Sequence, residues 1–65
     1  MNWDQIKGNW KQLKGKATAK WGHITDQEWE VIDGNREILV GKLQERYGKN
    51  KEEAEREVED FIRGL

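Results

Sequence analysis

Between Trp3 and Trp21 the large apolar residues recur only at steps of three and four: Trp3, Ile6, Trp10, Leu13, Ala17 and Trp21. At 100° per residue all six fall within about 80° of a helical wheel, which dictates one amphipathic helix with a single buried stripe. The spacing predicts this first helix over about Asn2 to Trp21, with Gly22 supplying a C′ stop. A lone amphipathic helix cannot bury its stripe, so the rest of the chain must cover it.

The following segment carries its own punctuation. Thr25 and Glu28 form a T-x-x-E capping box, and Ile24 and Trp29 stand at the two positions of a hydrophobic staple. A short helix is expected to end near Asp33-Gly34, with Trp29 and either Val31 or Ile32 facing inward. A third helix is expected from Asn35 to Gly48, presenting Leu39, Leu43 and Tyr47. Asn50 and Glu53 make a second capping box, which opens a fourth helix whose stripe is Ala54, Val58, Phe61, Ile62 and Leu65.

Residues 8–22 and 34–48 are related to one another. Gly8/Gly34, Asn9/Asn35, Leu13/Leu39, Gly15/Gly41, Lys16/Lys42, Lys20/Arg46, Trp21/Tyr47 and Gly22/Gly48 agree or are conservative. Two helical hairpins, each a longer helix followed by a capped shorter one, are therefore expected to pack into an all-α, compact four-helix bundle in one domain over residues 1–65. Glycine disfavours helix interiors, so Gly15 and Gly41 are expected to mark a close approach of backbones, the alternative being a backbone surface bared for a ligand.

The chain has 65 residues, no cysteine and one histidine, so neither a disulfide nor a zinc site can staple the core. Four tryptophans, one tyrosine and one phenylalanine argue against disorder. Lack of cysteine and of any long apolar run favours the cytoplasm and gives no membrane span.

No catalytic apparatus is legible. His23 has no second histidine or cysteine with which to share a metal, serine is absent, and Thr18, Thr25 and Tyr47 are the only hydroxyls. The acids Glu52, Glu53, Glu55, Glu57, Glu59 and Asp60 lack the loop glycine of a calcium-binding hand and read as a solvated helix face. No cofactor, metal or small-molecule substrate is expected, and the protein is expected to be a monomer. The tryptophans could form a stacking platform, but their positions on the stripe and at the staple place them in the core.

Charge is unevenly distributed: residues 1–23 hold five lysines and one acid, and residues 51–65 hold six acids and three bases. Lys7, Lys11 and Lys14 share one strip of the first helix. They are the candidate binding surface, for nucleic acid or an anionic membrane surface, against the plainer reading of a solvated face.

The segments Gly8-Asn9-Trp10-Lys11-Gln12-Leu13-Lys14-Gly15-Lys16, Trp21-Gly22, Thr25-Asp26 and Leu39-Val40-Gly41-Lys42-Leu43-Gln44-Glu45-Arg46-Tyr47-Gly48 resemble the CsbD-like bacterial general stress-response family. Thr18-Ala19 depart from it, standing where charged residues are usual. The resemblance implies a bacterial cytoplasmic protein made under general or osmotic stress, with a small helical fold like that of SAM-type domains, and supplies no catalytic residues. The function expected is a non-enzymatic one: hydrophilin-like protection or binding of a macromolecular partner. The alternative is a small nucleic-acid-binding module using the lysine strip.

Overall fold

The computed structural model describes residues 2–65. Among them the chain forms five helices and no strand: α1 (Trp3–Gly8), α2 (Trp10–Lys20), α3 (Asp26–Ile32), α4 (Arg36–Tyr47) and α5 (Lys51–Arg63). The all-α expectation holds, but the four-helix count is corrected. The segment expected as one helix is interrupted at Asn9, whose backbone lies at φ −110, ψ 22.

Local competition for hydrogen bonds causes the interruption. Asn9 Nδ2 donates to the Gln5 carbonyl at 3.0 Å, while the Asn9 N–H is shared between the Gln5 and Ile6 carbonyls at 3.1 and 3.2 Å. Helical bonding resumes when the Asn9 carbonyl accepts from Gln12 and Leu13. Asparagine offers the backbone such alternatives, and the preceding Gly8 has low helix propensity.

Side-chain caps begin α1, α3, α4 and α5, whereas α2 starts from Asn9 without one. Asn2 with Gln5, Thr25 with Glu28 and Asn50 with Glu53 each close a reciprocal capping box, and the Asn35 side chain accepts from Glu37 N–H and Ile38 N–H. Such a cap is worth about 1 kcal/mol. Gly48 ends α4 in the left-handed region at φ 63, as expected. Gly22 does not act as a left-handed stop, because α2 already ends on Trp21 at φ −117.

The stripes meet in one core. Ile6, Trp10, Leu13, Ala17 and Trp21 of the first stripe are buried with Ile24, Trp29, Ile32, Leu39, Val40, Leu43, Ala54, Val58 and Phe61; Trp3, Ile38, Tyr47 and Ile62 pack at its edge. Four tilted ring contacts run through it, Trp3 to Trp10, Trp10 to Trp29, Trp29 to Trp21 and Trp21 to Phe61, with centroids 6.4, 6.1, 6.3 and 5.1 Å apart. The indoles therefore build the interior. Ile32 is the inward residue of α3, and Val31 points outward at 60% exposure.

The expected close approach at Gly15 and Gly41 does not occur, since a Cβ added at either would meet nothing within 4 Å. The close approach is at Gly34 instead. There φ is +77, an added Cβ would lie 3.4 Å from Lys7 Cγ and 3.5 Å from Trp10 Cγ, and the Gly34 carbonyl accepts the Trp3 indole N–H at 2.8 Å. Asp33, just before it, is also left-handed at φ 39. A non-glycine residue there costs about 1 kcal/mol, so Asp33→Gly is expected to raise the melting temperature by a few degrees in a thermal denaturation scan.

Candidate binding surface

The α1–α2 bend positions two of the three candidate lysines together. Lys7 and Lys11 are exposed and line one shallow depression with Gly8, Asn9, Gln12 and Asp33. Lys14, one turn further on, reaches across to α3, where its Nζ lies 3.0 Å from Glu30 Oε1. The structure therefore brings Lys7 and Lys11 to one site and engages Lys14 in an inter-helix ion pair. That exposed pair contributes about 0–1 kcal/mol.

The densest polar cluster is centred on Glu28, where sequence reasoning saw only a helix cap. Glu28 Oε1 accepts from Thr25 N–H at 3.0 Å, and Arg46 Nε lies 3.0 Å from both carboxylate oxygens. Arg46 Nη2 is 2.9 Å and Lys42 Nζ 3.6 Å from Oε2. The cluster fastens α3 to α4. Arg46 hydrogen bonding, with a smaller part from the Thr25 backbone, lowers the Glu28 carboxyl from 4.5 to about 2, against the opposing effect of burial. The carboxylate in turn raises the Arg46 pKa.

A carboxyl depressed on folding contributes stability that is complete above its ordinary value of 4.5 and is lost as the pH falls toward about 2. The melting temperature is accordingly expected to decline over that interval. Glu28→Gln should lower it at neutral pH and flatten the acid decline. A Gln variant with the wild-type acid slope would assign that slope to other carboxylates.

Several other polar groups make intramolecular contacts. Thr18 Oγ1 donates to the Lys14 carbonyl at 2.7 Å, and Thr25 Oγ1 caps α3. Tyr47 Oη accepts the His23 backbone N–H at 3.1 Å, the two rings meeting edge-on with centroids 5.3 Å apart. Glu55 pairs with Arg36 at 3.6 Å and Glu57 with Lys49 at 3.4 Å, which ties α5 to α4 and to the loop before α5. Among the described residues no three of His, Cys, Asp and Glu converge as metal ligands, and no helix is long and apolar enough to cross a membrane.

These observations define a small all-helical protein in which side-chain caps begin four of the helices and ion pairs tie neighbouring helices together. A family model described as CsbD-like matches residues 4–56. The chain belongs to the CsbD-like family, a family of general stress-response proteins. No curated protein matches it. Val58 and Phe61, which complete the core from α5, lie beyond the matched segment.

Proposed function

We propose that the protein acts without catalysis, as a folded, strongly hydrophilic protectant that shields other macromolecules during stress. The observation that carries this reading is the partition of its side chains. Among the described residues Val31 and Leu65 are the only large apolar side chains left exposed, on a chain whose mean hydropathy is −1.15. Such a surface is hydrated and offers little apolar area for association. The Glu28 carboxyl, lowered to about 2, is held there by Arg46 and the Thr25 cap. The family resemblance favours a cytoplasmic site of action.

Drying a labile enzyme with this protein, or with an equal mass of albumin, tests the reading. Greater recovered activity than with albumin is expected; recovery at the albumin level removes it.

A second reading rests on Lys7 and Lys11, which share a depression beside the bend. From Gln5 to Thr25 the chain carries five lysines and no acid. Contact with nucleic acid through this face would weaken steeply with added salt. In a titration with duplex and single-stranded DNA at low salt, the reading expects amide shifts around Lys7 and Lys11 that Lys7→Ala with Lys11→Ala abolishes. Unchanged shifts at near-millimolar DNA end it.

A further inference from the structure

The internal duplication extends further toward the start of the chain. With the same offset of 26, Trp3, Ile6, Gly8 and Asn9 fall on Trp29, Ile32, Gly34 and Asn35. Each unit is thus a short helix, a Gly-Asn junction and a longer helix: α1–α2 and α3–α4. One pattern, however, takes two geometries. At the first junction Asn9 keeps a negative φ, and α1 runs on into α2 through a bend. At the second, Asp33 and Gly34 are both left-handed, at φ 39 and 77, and the chain turns between α3 and α4.

We propose that the α3–α4 junction can also take the geometry of the α1–α2 junction, joining Asp26–Tyr47 into one bent helix, and that the partner then engaged is a second copy of this chain. In the resulting domain-swapped dimer α1–α3 of one copy packs on α4–α5 of the other. The Glu28 ion pairs with Arg46 and Lys42, and the core that Trp29 and Ile32 of α3 share with Leu39 and Leu43 of α4, re-form between copies with the same partners. Only the junction differs: the swapped form gives up the Trp3 hydrogen bond to the Gly34 carbonyl and the burial of Gly34, and relieves the left-handed backbone of Asp33. Exchange of identical elements across one strained, short hinge is the low-cost route to such dimers. This inference is independent of the protectant reading.

Gly34→Ala tests it, because a Cβ penalises the left-handed turn and favours a helical junction, while its nearest neighbour at 3.4 Å is the flexible Lys7 side chain. Protein heated through unfolding and cooled over a series of concentrations is measured by size-exclusion chromatography with light scattering. Gly34→Ala is expected to shift the equilibrium toward dimer about tenfold, and Asp33→Gly to shift it toward monomer. Gly34→Ala that stays monomeric throughout overturns the proposal. If that variant does not refold, the wild type decides. A dimer with the monomer's circular dichroism, exchanging chains with a tagged copy only after unfolding, supports the swap. Monomer alone, or a dimer that exchanges on mixing, overturns it.

Discussion

Trp29→Ala is expected to leave no cooperative folding transition at neutral pH. Trp29 is fully buried at the midpoint of the aromatic series, its ring 6.1 Å from Trp10 and 6.3 Å from Trp21, so its removal opens a void between α2 and α3. Truncating a buried Trp to Ala costs about 3–5 kcal/mol. A chain of this length holds only about 3–10 kcal/mol in total. It has no disulfide to fall back on. Trp29→Phe is the informative companion. It keeps a ring in the gap and removes an indole N–H that has no hydrogen-bond partner in the core, so it should retain a cooperative melt at a lower temperature. Far-UV circular dichroism during heating reads both. A Trp29→Ala protein that melts cooperatively within about 5 °C of wild type would show that the aromatic series does not hold the core together.

The parts of this fold that were legible in the sequence are those fixed by local chemistry. Thr25 with Glu28 and Asn50 with Glu53 announce α3 and α5, because a cap needs only residues three apart, and Gly48 announces the end of α4 for the same reason. The bend at Asn9 escaped the periodicity. A hydrophobic stripe reports which side of a helix is buried, and here Ile6 before the bend and Trp10 and Leu13 after it enter the same core, so the phase runs on through the break. The repeat held the missing signal, since it aligns Asn9 with Asn35, and Asn35 caps α4.

Charge was legible only as far as spacing reaches. Intervals of four and three put Lys7, Lys11 and Lys14 on one strip, whereas the pairing of Lys14 with Glu30, sixteen residues away on another helix, is encoded by no interval. Glu28 shows the same limit: its cap is local and readable, whereas its pairing with Arg46, eighteen residues on, exists only after α3 and α4 have packed. Gly34 adds a third case. Its role depends on the sign of φ and on Trp3 arriving from the far end of the chain.

The second large effect is a gain. Gly15 is exposed and Gly41 half-buried; both lie inside helices, and a Cβ at either enters open space. Neither glycine recovers in packing what it costs in backbone entropy, which is up to about 1 kcal/mol relative to alanine at each. They lie on different helices, so their effects should add. Gly15→Ala with Gly41→Ala is therefore expected to gain about 1–2 kcal/mol, which in a domain of this size raises the melting temperature by roughly 4–16 °C. A thermal scan that shows no rise would mean that these positions meet something the folded monomer does not contain. The same variant, dried with a labile enzyme, separates two uses of the surface. Protection by hydrated charge does not depend on two methyl groups and should persist unchanged, whereas protection that vanishes as stability rises requires the bare helix backbone or the weaker fold that the glycines maintain.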